Sequence, residues 1–167
     1  YISLAYLASN IALSSCKGAK LSVADEQMAR GEYFDAAKTY QKVYNKLTKR
    51  EDRTIRGEVA FKMGECYRRL NQSSRATSAY QNAIRYNYPD SMAIFYLAQA
   101  QHRDGKYPAA IKTYEAFLEK VPNHRQSLDG IRGCQLAKGY KEEGSRYIVK
   151  QAKQFNSLRA DFCPMFL

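Results

Sequence analysis

The short motifs that mark common enzyme classes are missing from this chain. There is no G-x-x-x-x-G-K-[ST] phosphate loop, no G-x-S-x-G nucleophile turn and no H-E-x-x-H pair. The four cysteines, Cys16, Cys66, Cys134 and Cys163, form no C-x-x-C, and the two histidines, His102 and His124, are not grouped with them. A zinc site draws its ligands from such closely spaced groups, so neither a metal nor a cofactor is expected. The longest uncharged stretch, Tyr1–Cys16, falls short of the roughly 20 apolar residues that cross a bilayer as a helix. Acidic residues are scarce, 16 against 27 Lys and Arg, for a net charge of +11. Such an excess suits an anionic partner such as nucleic acid, lipid headgroups or cell-wall polymer, or simply a solvated basic surface. The cations are dispersed, and the densest spot, KREDR (Lys49–Arg53), also carries Glu51 and Asp52. That dispersal favours the solvated surface, and nucleic acid is not an expected partner.

Repetition is what the chain does have. GEYFDAAKTYQKVYNK (Gly31–Lys46) returns as GKYPAAIKTYEAFLEKVPN (Gly105–Asn123), with a shared frame of Gly-x-Tyr, two small residues and Lys-Thr-Tyr. A step of 34 from Gly105 reaches Gly139 forward and Asn71 backward, and Asn, like Gly, tolerates a tight turn. The next step back needs six further residues to reach Gly31, which the polar stretch Thr48–Glu58 absorbs as a longer loop and helix start. In the third unit Leu97 and Ala98 form a large–small pair, Gly105 and Tyr107 the turn, Ala110, Tyr114 and Phe117 an inner stripe, and Pro122 the end. The second repeats this with Met63, Gly64, Tyr67, Ala76, Tyr80, Ala83 and Pro89, and the first with Val23, Ala24, Gly31, Tyr33, Ala36, Tyr40 and Val43. The fourth keeps only Leu128, Ile131 and Gly139. The pairs Ala36–Tyr40, Ala76–Tyr80 and Ala110–Tyr114 are spaced i, i+4 and share a helix face.

A 34-residue helix–turn–helix period resembles the tetratricopeptide repeat (TPR). The expected fold is all-α, a TPR superhelix of about four units at 17–50, 57–90, 91–124 and 125–158, with an irregular tail at 159–167. Cys66 and Cys134 stand two periods apart at equivalent places. They should lie roughly 20 Å from each other, too far for a disulfide, and are expected as buried packing residues. The resemblance implies a protein-binding role without catalysis, in which the first helices of the units line a concave groove. Counting by the period places Asp25 and Met28 there from unit one, and Phe61, Glu65, Arg68 and Arg69 from unit two. Unit three gives Phe95, Tyr96, Gln99, His102 and Arg103, and unit four Asp129 and Gly133. The arginines could receive carboxylates or a chain end, and the phenylalanines could anchor apolar side chains. The Lys and Asn set of the chaperone-binding carboxylate clamp is not found. Asp25 with Glu65 is the one carboxylate pair that could be imagined in a hydrolytic cleft, and nothing in the sequence orients either as acid or base.

Residues 1–15 read as the apolar and cleavage regions of a secretory signal. Leu13-Ser14-Ser15-Cys16 resembles a bacterial lipobox, which implies diacylglycerol on the Cys16 thiol, cleavage before Cys16 and stable anchoring by several acyl chains. At the other end, FNSLRADFCPMF (Phe155–Phe166) supplies Asn156, Ser157, Asp161, Phe162 and Pro164. With Cys16 and KGAKLSVADEQMARGEYFDAAKTY (Lys17–Tyr40), these resemble the junctions of Bacteroidetes OmpA-family outer-membrane lipoproteins, including the PorE-like component of the type IX secretion and gliding apparatus. That resemblance implies a docking module on the periplasmic face of the outer membrane, holding other envelope or secretion-apparatus proteins. Peptidoglycan would be bound only through downstream propeller and OmpA domains. KGAK (Lys17–Lys20) lacks the acidic cluster that the family implies for export to the cell surface. Two other readings fit the repeats: a TPR lipoprotein of outer-membrane β-barrel assembly, and a soluble TPR adaptor.

Overall fold

The computed structural model describes residues 20–47 and 52–143. Cys16, Cys163, the segment 1–15, the remainder of the fourth unit to residue 158 and the junction at 159–167 lie outside the described residues. Within them the chain runs as α1 (20–29), α2 (Tyr33–Lys46), α3 (Arg53–Arg69), α4 (Ser73–Arg85), α5 (Met92–Arg103), α6 (Tyr107–Leu118) and α7 (Arg125–Glu143). The all-α expectation holds for these residues.

The turns inside the units are made by one device used three times. At the end of α1, Gly31 N–H donates to Met28 C=O and Glu32 N–H to Gln27 C=O. At the end of α3 the same two bonds run from Asn71 to Arg68 and from Gln72 to Tyr67, and at the end of α5 from Gly105 to His102 and from Lys106 to Gln101. This is the Schellman closure, which needs a left-handed residue just past the helix. Gly31, Asn71 and Gly105 supply it, at φ 79°, 55° and 71°. The turns between units use Asn87 and Asn123, also left-handed at φ 57° and 63°, beside Pro89 and Pro122.

Each helix packs on its neighbours in sequence, from α2 through to α7, and α5 also touches α7. The core is laid down seam by seam. Ala24, Ala36, Tyr40, Val43, Val59, Met63 and Cys66 join α1, α2 and α3. Ala76, Tyr80, Leu97 and Ala100 join α4 to α5, and Phe95, Ala98, Ala110, Tyr114, Phe117 and Cys134 join α5, α6 and α7. Small residues set the spacing. A Cβ on Gly64 would lie 2.6 Å from the Tyr80 ring, and one on Gly130 would lie 2.6 Å from that of Tyr114. Cys66 and Cys134 are free and buried in different clusters.

Three expectations fail on α1 and α7. Val23 and Leu128 are each 47% exposed and contribute little to the core, while Ala24, beside Val23, is fully buried. Gly139 makes no turn, because α7 continues through it to Glu143. A single Gly in a helix costs only about 1 kcal/mol, and the helix formers around Gly139 carry the helix past it.

Candidate partner-binding groove

The first helices of the units, α1, α3, α5 and α7, meet side by side through residues the period assigns to the groove. Between α1 and α3, Lys62 Nζ donates to Asp25 Oδ1 at 2.9 Å and pairs with Glu58 at the same distance. The Tyr40 hydroxyl reaches in from α2 and donates to the same Asp25 oxygen at 2.5 Å. It also lies 3.6 Å from the Met28 sulfur. Burial lowers the Lys62 pKa, but the Asp25 and Glu58 bonds outweigh it and hold the ammonium above its ordinary range. Burial, reinforced by Asp25, raises the Tyr40 phenol strongly, so it remains a donor.

One unit further on the arrangement returns with different residues. Tyr80 donates to Glu65 Oε1 at 2.6 Å, and Arg68 grips the same carboxylate through Nε and Nη2. Burial raises the Glu65 pKa, yet the Arg68 and Tyr80 bonds prevail and leave it below the usual carboxylate range. The Arg68 guanidinium also stacks 4.7 Å over the Tyr96 ring. Asp25 and Glu65 are therefore each held by a cation and a phenol.

Between α3 and α5 the face is aromatic. Phe61 stacks on Tyr88 with centroids 4.4 Å apart and planes 15° apart. It also meets Tyr96 at 6.2 Å and Tyr80 at 5.8 Å. Phe61, Tyr88 and Tyr96 are each partly exposed. Between α5 and α7, His102 stands edge-on to Tyr107 and Tyr114, and a Cβ on Gly133 would lie 3.2 Å from its ring. Burial lowers the His102 pKa and favours the neutral imidazole.

The remaining predicted groove residues fall in several places. Phe95 is not on the open face. It is 2% exposed, packed against Tyr114, Phe117 and His124, because the turn before α7 folds His124 over that side of α5. Gln99 is partly exposed. Arg69 donates to the Tyr33 hydroxyl at 3.0 Å and stacks on its ring. Arg103 is exposed, with a long 3.4 Å contact to Asn71 Oδ1. Asp129 is exposed and pairs with Arg125 at 3.8 Å. Sequence reasoning missed Lys62 and Tyr88. Lys62 is the neighbour of Phe61, and its spacing from Glu58, i and i+4, was the available signal. Tyr88 sits in the inter-unit turn just before Pro89, a stretch read only as a terminator.

Among the described residues, no group of three or more His, Cys, Asp or Glu could hold a metal ion. Nor is any described helix long and apolar enough to cross a membrane.

Residues 61–125 match the sequence profile of the tetratricopeptide repeat family. No curated protein sequence matches the chain significantly. Among solved structures, the chain is similar to the first TPR domain of Spaghetti (RPAP3) bound to the HSP90 peptide SRMEEVD, with 20% identity and TM-score 0.58 over 74% of this chain and 95% of that one. It is similar to the Sgt2 TPR domain of Aspergillus fumigatus, with 17% identity and TM-score 0.57 over 85% and 91%. It is also similar to the Yersinia enterocolitica type III secretion chaperone SycD in complex with a peptide of the translocator YopD, with 17% identity and TM-score 0.56 over 72% and 93%. At these identities the likeness concerns the fold, and the fold is a TPR superhelix.

Proposed function

We propose, from a TPR superhelix with a partly exposed aromatic cluster between α3 and α5, that the chain is a non-catalytic protein–protein interaction scaffold that holds a peptide segment of its partner in the concave groove. The observation that carries this is the Phe61–Tyr88–Tyr96 cluster, flanked by charges already neutralised within the fold: Lys62 by Asp25 and Glu58, Arg68 by Glu65. A groove of that kind gains affinity from apolar and aromatic side chains seated on rings. The similar structures that hold an HSP90 peptide and a YopD peptide support peptide capture as the mode.

The proposal extends to address. Acylation of Cys16 would anchor the scaffold at the periplasmic face of the outer membrane, within an OmpA-family, type IX secretion-associated envelope complex. The lipobox-like Leu13–Cys16 and the junction-like Phe155–Phe166 support this. Expression of the gene in its native host, with intact-mass analysis of the N-terminal peptide and quantitative co-purification, tests both parts. Acylated Cys16 and envelope proteins that are lost on Phe61→Ala with Tyr96→Ala are the expected results. An unmodified chain that keeps residues 1–15 in the soluble fraction overturns the anchor. Co-purification that ignores the ring substitutions overturns the groove.

A further inference from the structure

The outer helices tell a different electrostatic story from the inner ones. α2 and α4 both pack on α3, and a cleft of about 900 Å³ opens between them on the side away from the groove. Its α2 wall carries Lys38, Gln41 and Lys42, and its α4 wall Arg75, Ser78 and Asn82. Met63 and Tyr67 of α3, with Ala79, give it an apolar floor. Among the described residues, no Asp or Glu lines it. Lys38 lies over the Phe34 ring and Arg75 bonds only to Gln72 while facing Tyr67. Neither they nor Lys42 has an ion-pair partner among the described residues. Inside the groove the cations Lys62 and Arg68 are paired with carboxylates. In the outer cleft they are left for something else.

We propose that this cleft is a second docking site, and that it takes an acidic amphipathic helix of a partner protein. The geometry selects a helix. Lys38 and Lys42 are spaced i, i+4, and Arg75, Ser78 and Asn82 are spaced i, i+3, i+7, so each wall presents a row one helix face long. A volume of about 900 Å³ is that of roughly two turns of a helix about 10 Å across. An incoming helix would lay its apolar stripe on Met63, Tyr67 and Ala79 and set carboxylates at i, i+4 against Lys38 and Lys42, with Arg75 opposite. This is recognition of a helix in a groove, with charge setting register and on-rate. The hydroxyl and amide groups on the walls can take the remaining carboxylate oxygens. The site is separate from the groove and does not depend on the reading given to it.

The test is fluorescence anisotropy with the full chain and a stapled, labelled helix of about 15 residues. The probe carries Leu at i, i+3 and i+7 and Glu on both flanks. Saturable binding that weakens with salt is expected, together with a loss of at least about tenfold in Lys38→Glu with Lys42→Glu. Both lysines are exposed, so that variant should keep the wild-type melting temperature. It should also bind the same helix with its Glu changed to Lys, while Phe61→Ala leaves binding of the Glu helix unchanged. The proposal is overturned if the Glu and Lys helices bind the wild type alike, if the double variant binds the Glu helix undiminished, or if charge reversal on both sides fails to restore binding. It is also overturned if a single-stranded RNA or phosphatidylglycerol vesicles bind the α2–α4 cleft more tightly than the helix does.

Discussion

A Cβ on Gly64 would lie 2.6 Å from the Tyr80 ring, so any side chain placed there must displace that ring. Alanine at Gly64 would gain up to about 1 kcal/mol in helix propensity, but displacing a buried ring in a packed seam costs about 1–3 kcal/mol, and the cost wins. Gly139, with nothing within 4 Å of its Cβ position, is the control: Gly139→Ala should stabilise by about 0.5–1 kcal/mol. Urea midpoints should move in opposite directions for the two variants. Glu65 makes a prediction about pH. Burial raises its pKa, but Arg68 and Tyr80 hold it below the ordinary range. A carboxyl more acidic in the folded state stabilises the fold above its unfolded pKa, about 4.3, and that contribution is lost as pH falls through the folded pKa. Urea midpoints taken from neutral pH into acid should fall steeply in the wild type and less steeply in Glu65→Gln, the two curves converging at the acid end. Parallel curves would remove Glu65 from the acid response. The Ala and Tyr positions were legible because i, i+4 spacing fixes which face they share. The burial of Phe95 was not, since it depends on His124 arriving from a turn the period treats as filler.

At the scale of the element, the chain ends three helices with the same pair of backbone bonds and two kinds of residue. Asn71 stands at φ 55° where its counterparts are glycines. Asn71→Gly should therefore keep or slightly raise stability, since Gly is the residue most at ease in that conformation, whereas Asn71→Val, forced into the left-handed region, should lose about 1–2 kcal/mol. Thermal melts compare the two directly, and equal melting points would mean the turn does not constrain that residue. Asn71 was readable from the 34-residue step and Gly31 from the repeated Gly-x-Tyr frame, because a left-handed position admits so few residue types. The same step misled at Gly139. A glycine permits a turn without requiring one, and α7 continues to Glu143.

For the whole molecule, a net charge of +11 says nothing about where the charge stands. Asp25 meets Lys62 across 37 positions of sequence, a pairing no periodicity announces. Such pairings hold Lys62 and Arg68 on the inner face, whereas Arg69 and Arg103 there, and Lys38, Lys42 and Arg75 on the outer one, have no carboxylate partner among the described residues. One further property belongs to the plan of contacts itself, in which each helix packs on its neighbours in sequence. Among the described helices the main contacts join neighbours in sequence, so the loop-closure entropy that slows other topologies stays small. Such a chain can assemble in the order in which it is made. Each new helix closes the seam left open by the one before it, and the freshly emerged apolar surface stays brief and narrow.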